Sequence, residues 1–200
     1  SSLVIRPAQQ MNILYLHGFR SSPQSMKARL MAAHFAATSH RFVCPQLPAS
    51  PAAAMALACE FIEDRGDAAR DWALIGSSLG GYYATWLAER YGCRAALLNP
   101  AVLPADDLAG YVGEHTMYHS SEPFEWRAEY LQELLDLRIE RITQPERYFL
   151  LAATGDEVLD WRQMRDHYAG ARQHIIEGSD HAISEFARYA NELVLFCVDG

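Results

Sequence analysis

Lysine is almost absent from this sequence, and positive charge as a whole is scarce. Lys27 is the only lysine, and 17 basic residues stand against 25 acidic ones, which gives a formal net charge of −8. A protein that binds nucleic acid usually presents a basic surface, so this balance argues against such a partner. It also offers no attraction to an anionic membrane surface, and no apolar run reaches the roughly 18–20 residues that span a bilayer.

Cysteine is also scarce, and its spacing argues against two common kinds of site. The four cysteines are Cys44, Cys59, Cys93 and Cys197, with no CxxC pair and no histidine pair at zinc-finger spacing. Each lies in an apolar stretch, which predicts buried free thiols rather than disulfides. The sequence therefore implies no metal and no cofactor.

A secretory signal is missing from the first residues. Residues 1–10 lack both the basic segment and the long apolar segment of such a signal, so we expect a cytoplasmic protein. Because Met11 suits a natural start, residues 1–10 are interpreted as a leader, a tag or a short extension.

What the sequence does have is a regular alternation of short apolar runs and longer amphipathic stretches. The runs predict six strands, at residues 12–16, 41–44, 72–75, 94–98, 147–152 and 173–176. The amphipathic stretches predict helices at residues 23–37, 51–64, 79–91, 161–168 and 183–198. This order predicts one α/β domain over residues 1–200, with a mostly parallel six-stranded sheet and helices on both faces.

Residues 102–141 break that alternation. They include an aromatic-rich segment at 125–137 that is interpreted as a helix, so we expect a small helical, cap-like insertion over one end of the sheet. Its aromatic side chains either form a wall that binds an acyl group or simply dock the insertion on the core. The candidates for substrate contact are Tyr118, Phe124 and Trp126.

The strongest motif lies between the third strand and the following helix. Gly76-Ser77-Ser78-Leu79-Gly80 fits the G-x-S-x-G pattern of a nucleophile elbow, which needs that strand–turn–helix context. The flanking glycines permit the tight turn, and the central serine, Ser78, is the predicted nucleophile. Ser77 occupies the variable position of the motif.

A serine hydroxyl needs a base, and the chain offers eight histidines. His181 is the candidate, because it follows the sixth strand and the base comes last in this fold. The acid that orients it should follow an intervening strand, and Asp156 fits best. Glu157, the more distant Asp160, and the pair Asp106 and Asp107 remain alternatives.

Two backbone amides should complete the site by binding the oxyanion. Leu79, just after the nucleophile, would donate one, and Phe19, in the loop after the first strand, would donate the other. His17, in the same loop, is expected to support the loop by hydrogen bonds rather than act as a base.

These motifs together resemble a known family, the YqiA-type esterases of bacteria, over residues 11–196 and most loosely over 105–146. The segments that carry the resemblance are Tyr15-Leu-His-Gly-Phe19, Gly76-Ser-Ser-Leu-Gly-Gly-Tyr-Tyr-Ala84, Leu98-Asn-Pro-Ala101 and Thr154-Gly-Asp-Glu-Val-Leu-Asp160. The resemblance implies a compact α/β-hydrolase that cleaves acyl esters or acyl-CoA thioesters. Carried over to this sequence, the family's triad falls on Ser78, Asp156 and His181.

The sequence thus predicts a serine hydrolase with a small-molecule acyl ester or thioester as substrate. A hydrolase of another bond type and a binding module that keeps only the fold remain alternatives. The oligomeric state, the acyl chain length and the preference for ester or thioester stay open.

Overall fold

A computed structural model describes residues 9–199 of the chain. Its strands are β1 (Asn12–Leu16), β2 (Arg41–Val43), β3 (Trp72–Ser77), β4 (Arg94–Leu98), β5 (Gly113–Thr116), β6 (Pro123–Trp126), β7 (Tyr148–Ala153) and β8 (Arg172–Ile176). Its α-helices are α1 (Met26–Ala36), α2 (Pro51–Glu63), α3 (Ala68–Asp71), α4 (Leu79–Tyr91), α5 (Pro104–Leu108), α6 (Glu129–Asp136), α7 (Trp161–His167) and α8 (Ala190–Asp199).

Six strands form one parallel sheet in the order β2-β1-β3-β4-β7-β8, as predicted. The four middle strands are almost completely buried, which explains why they read as unbroken apolar runs. The chain runs outward from β1 to β2 and then returns to place β3 on the other side of β1. This reversal opens a crevice between the carboxyl ends of β1 and β3, where ligands bind in open α/β sheets.

Alternate side chains of the same strands build two cores, one on each face of the sheet. On β1, Leu14 and Leu16 join the core that α2 and α4 cover, whereas Ile13 and Tyr15 join the core that α1 and α8 cover. Each fully buried aliphatic side chain stabilises the fold by roughly 1.5–3 kcal/mol. The sheet is therefore a rigid base for the loops at its carboxyl edge.

The insertion at 102–141 differs from the expected helical structure. Residues 123–126 form strand β6, which pairs with β5 in an antiparallel hairpin, and the helix α6 begins only at Glu129. The reason lies in the alternation of Phe124, Glu125 and Trp126, which has the period of a strand. Trp126 is 1% exposed and Glu125 lies on the solvent side.

The last helix is also shorter than expected, since α8 begins at Ala190 rather than near residue 183. Ile183 has a φ of 51°, a left-handed conformation that an α-helix does not accept. In the turn before it, Asp180 accepts hydrogen bonds from the amide and hydroxyl of Ser184. It therefore fixes the turn that carries His181.

Residues 1–8 of the predicted leader lie outside the described residues. Gln9 and Gln10 are described, and their side chains donate to the carbonyls of Arg70 and Ser39.

The four cysteines are free thiols, as predicted; Cys93 and Cys197 are buried and the other two are partly buried. Across residues 9–199, no helix is both long enough and apolar enough to cross a bilayer.

Candidate active site

Ser78 lies on a strained turn between β3 and α4. Its φ of 56° and ψ of −120° place a residue with a side chain in a region that normally only glycine enters. Backbone hydrogen bonds hold it there: its amide donates to the Leu98 carbonyl, and its carbonyl accepts from the amides of Gly81 and Ala101. The turn thus presents the Ser78 hydroxyl at the carboxyl edge of the sheet.

The glycines of the motif are required by the closeness of the surrounding backbone. A Cβ at Gly80 would lie 1.9 Å from the Leu16 carbonyl oxygen, and one at Gly76 would lie 2.3 Å from the Gly80 carbonyl oxygen. Both distances are far below van der Waals contact. The small residues therefore let α4 approach β1 closely enough to position Ser78.

A chain of hydrogen bonds connects the three side chains that the sequence singled out. Nε2 of His181 lies 3.0 Å from Oγ of Ser78, and its Nδ1 lies 2.8 Å from Oδ2 of Asp156. Because the carboxylate is the acceptor, Nδ1 carries the proton and Nε2 is free to accept the serine proton. The Asp156 side chain is 0% exposed, and its other oxygen accepts 2.8 Å bonds from the amides of Val158 and Leu159.

The alternative acids lie elsewhere. Oε2 of Glu157 accepts a 2.9 Å bond from the backbone amide of His181, so it holds the loop and does not contact the imidazole. Asp106 and Asp107 lie on α5, and neither bonds to His181 within residues 9–199. Asp107 lines the cavity beside Ser78, where burial, assisted by the neighbouring Asp106 charge, raises its pKa.

The two amides predicted to bind an oxyanion, those of Phe19 and Leu79, belong to segments that pass close to Ser78. Leu79 is the first residue of α4, so its N–H has no partner inside the helix. The loop after β1 passes close by, since a Cβ placed on Gly18 would lie 3.3 Å from Cβ of Ser78 and 3.9 Å from N of Leu79. Neither amide donates to another group within residues 9–199.

His17 holds the Phe19 loop through both ring nitrogens. Its Nδ1 lies 2.9 Å from the Gly18 carbonyl oxygen, and its Nε2 accepts a 2.9 Å bond from the Leu47 amide. Burial lowers the pKa of this imidazole, which fits the neutral form that the two contacts require. The geometry matches the supporting role expected for it.

Asn99 is a residue of the site to which the sequence analysis gave no role. It is 1% exposed at the end of β4, where its Nδ2 donates to the carbonyls of Asp180 and His181 at 3.1 and 3.0 Å. Its Oδ1 accepts a 2.8 Å bond from the Ala153 amide. The only sequence signal was an asparagine between a buried strand and a proline.

A cavity of about 460 Å³, lined mainly by apolar groups, opens over Ser78 and His181. Tyr118 and His119 from the insertion line it, together with Phe19, Leu108 and Leu159. Phe124 and Trp126 are not among its lining residues. Their rings pack edge-on against the Phe19 ring instead, at centroid distances of 5.2 and 5.3 Å.

Metal ligation needs a cluster of suitable side chains. Over residues 9–199 no group of three or more His, Cys, Asp or Glu side chains is arranged to hold an ion.

Comparison with known proteins identifies the family and the fold of this chain. Residues 12–198 match the sequence profile of the uncharacterised protein family UPF0227. The chain belongs to this family. The match spans the sheet, the insertion and every residue of the hydrogen-bonded site of this UPF0227 protein.

Solved structures share the architecture at low sequence identity. Est1E from Butyrivibrio proteoclasticus, solved with ferulic acid bound, is 13% identical, with a TM-score of 0.74 over 97% of this chain and 92% of that chain. The esterase domain of a Rhodothermus marinus protein is 18% identical, with a TM-score of 0.71 and coverages of 97% and 90%. Mouse alpha/beta hydrolase domain-containing protein 10 is 16% identical, with a TM-score of 0.67 and coverages of 92% and 89%. The UPF0227 protein has the α/β-hydrolase fold.

Proposed function

We propose that this protein hydrolyses carboxylic esters or acyl thioesters through a covalent acyl-enzyme. The observation that carries the proposal is the unbroken chain of hydrogen bonds from Ser78 through His181 to the buried Asp156. A serine hydroxyl joined to an imidazole that a carboxylate orients is the arrangement of an activated nucleophile. The strained backbone of Ser78 supports the same role, since strain of this kind concentrates at functional sites.

The reaction follows from the position of each group. Ser78 Oγ attacks the carbonyl carbon while His181 Nε2 takes its proton, and Asp156 stabilises the imidazolium that forms. The amides of Phe19 and Leu79 donate to the oxyanion, helped by the partial positive charge at the start of α4. His181 then protonates the leaving alcohol or thiol, and afterwards activates the water that releases the acid and restores Ser78.

The cavity favours an acyl compound of modest size as substrate. Its volume of about 460 Å³ falls within the usual range for small-molecule sites, and most of its lining is apolar. The names of two structural relatives agree with this class, because one is an esterase domain and the other was solved with an aromatic carboxylic acid bound.

The test is hydrolysis of nitrophenyl esters from acetate to palmitate, with acyl-CoA thioesters measured in parallel. We expect Ser78→Ala to lower kcat by about 10⁴-fold or more, because a triad acts as a unit. Ser39→Ala removes the same hydroxyl from an exposed position and should retain the wild-type rate. A serine-directed phosphonate should label the wild type at Ser78 and leave Ser78→Ala unlabelled.

The outcomes separate the alternatives. Equal rates in wild type and Ser78→Ala would show that the site is wrong. Hydrolysis of thioesters alone would restrict the activity to that class. A wild type that is neither active nor labelled would favour a binding module built on the same fold.

A further inference from the structure

One wall of the cavity is formed by side chains that can donate hydrogen bonds. Tyr15, Ser25, Lys27 and Ser77 all line the cavity that holds Ser78. The Tyr15 hydroxyl is buried beside the side chains of Ser25 and Ser77, but it makes no hydrogen bond of good geometry among residues 9–199. A buried polar group without a partner costs roughly 1–3 kcal/mol, so it needs an explanation.

The N-terminus of α1 opens onto the same wall. Ser25 is the N-cap of this 11-residue helix, yet its side chain makes no capping hydrogen bond. The first turn contains no acidic residue. It contains Lys27 instead, a cation at the end of a helix that already carries partial positive charge. An unbound helix end with a lysine at that position is electrostatically unfavourable, and a bound anion would reverse the sign of the effect.

Lys27 retains the capacity to bind such an anion. Its Nζ donates one 2.7 Å bond to the carbonyl of Ala182, which leaves two N–H groups unassigned. The charges of Asp180 and Asp156 act on Lys27, but both carboxylates already accept hydrogen bonds from other donors of the protein. The charge of the only lysine in the chain is therefore not neutralised by a direct ion pair within residues 9–199.

We propose that the substrate carries a carboxylate, which binds between Lys27, Tyr15 and Ser25, while its apolar part lies along Phe19 and Leu159. This inference rests on the proposed hydrolase function and names its substrate class. Ser77 precedes the nucleophile, and Ala182, which Lys27 contacts, follows His181. The carboxylate therefore lies only a few bonds from the scissile carbonyl, as in a half-ester of a short dicarboxylic acid.

Matched pairs of substrates test the proposal. Mono-nitrophenyl esters of dicarboxylic acids, from glutarate to sebacate, are compared with the same compounds whose free carboxyl is methylated. The spontaneous rate, measured with Ser78→Ala, is subtracted. We expect the wild type to prefer the free acid by about tenfold or more in kcat/KM at the best chain length, because charge-assisted hydrogen bonds are strong. Equal or reversed preference at every length would overturn the proposal.

Two variants test whether Lys27 and Tyr15 cause the preference for the free acid. Lys27→Met and Tyr15→Phe should each lower the acid-to-methyl-ester ratio, by about tenfold and about threefold respectively. Arg29→Met removes an exposed cation from the same helix, and Tyr83→Phe removes another buried hydroxyl without a partner. Both controls should keep the wild-type ratio. If Lys27→Met lowered both rates equally, Lys27 would act only by holding the His181 loop.

A binding measurement keeps this test separate from the test of hydrolysis. Calorimetry compares monomethyl adipate, which carries one carboxylate, with dimethyl adipate, which carries none. We expect only the monomethyl compound to bind to Ser78→Ala, which leaves the ester intact, and the double variant Ser78→Ala/Lys27→Met to lose that binding. Binding without turnover of any ester would leave the subsite intact and remove the hydrolase proposal. Turnover without selective binding or acid preference would remove the subsite alone.

Discussion

Asn99 joins three segments that are far apart in the sequence. Its amide bonds the end of β7, through Ala153, to the loop that carries His181. Asn99 has a φ of 41°, which asparagine tolerates better than most other residues. A single buried side chain thus connects strand β7, which precedes Asp156, with the loop that carries His181.

This arrangement makes Asn99→Ala informative. The substitution leaves one buried amide and two carbonyls without a partner and adds backbone strain. We expect the free energy of unfolding to fall by about 2–3 kcal/mol. Because His181 loses its support, kcat should fall about tenfold or more while KM changes less. Urea unfolding and steady-state kinetics measure the two effects.

The matched control is Asn191→Ala, at an exposed position of α8. It should change neither the rate nor the stability by more than a few tenths of a kcal/mol. If Asn99→Ala kept the wild-type kcat despite its lower stability, Asn99 would support the fold but would not position His181.

At the scale of secondary-structure elements, the β5–β6 hairpin supports the site from behind. Its residues Phe124 and Trp126 pack edge-on against Phe19, whose amide is the proposed oxyanion donor. Tyr111 contacts the same ring, at a centroid distance of 5.8 Å. The position of the Phe19 loop therefore depends on the insertion, although these two hairpin residues do not line the cavity.

We accordingly expect Phe124→Ala to lower kcat/KM by about tenfold, less than the loss of an oxyanion donor, because the Phe19 loop would loosen without losing its amide. Phe124 is only partly buried, so the fold should persist, as far-UV circular dichroism would show. Phe124→Leu restores apolar volume against the Phe19 ring and should recover part of the activity. A Phe124→Ala enzyme with the wild-type rate would show that the Phe124 ring is not needed to position the Phe19 loop.

The elements that the sequence predicted well are those governed by local pattern. The four middle strands of the sheet are buried apolar runs and the two edge strands are partly buried, and all six lie within two residues of their predicted bounds. The strand–turn–helix around Ser78 was recognisable because only glycine fits beside the turn. At this turn the backbone geometry restricts the residue type, so the turn could be predicted from the sequence.

The insertion and the role of Asn99 were not predictable in the same way. Residues 123–126 contain too few positions for the strand period to stand out from the helix that follows them. The role of Asn99 depends on contacts with Ala153, Asp180 and His181, which are 54, 81 and 82 positions away in the chain. Neither local propensity nor a short motif encodes contacts of that range.

At the scale of the whole molecule, the site is built where the sheet reverses its order. The loops after β1 and β3 bring Phe19 and Ser78 to one crevice, and those after β7 and β8 bring Asp156 and His181. The N-termini of α1 and α4 both open onto the cavity there. Their combined partial charges favour an anion, whether it is a transient oxyanion or a fixed carboxylate.

The positive charge of Lys27 is repelled by these helix N-termini, and the free-energy cost of burying that charge depends on pH. Burial lowers the pKa of Lys27 to about 8, from an unfolded value of 10.5, although the nearby Asp180 and Asp156 carboxylates act to raise it. Between these two values the unfolded chain binds more protons, so the stability of the wild type rises with pH across this window. Below pH 8 the ammonium is charged in both states, and its desolvation penalty is fully present.

Lys27→Met should therefore stabilise the free protein at pH 7, by about 1–3 kcal/mol, since it removes that penalty and keeps the apolar stem. The advantage should shrink as the pH rises from 8 towards 10.5. Urea unfolding of wild type, Lys27→Met and the control Arg29→Met at pH 7 and pH 10 measures the difference. A Lys27→Met protein that is less stable than wild type at pH 7 would mean that the bond to Ala182 outweighs the desolvation of the ammonium. A more stable but less selective variant would indicate that this lysine serves ligand binding at the expense of the fold.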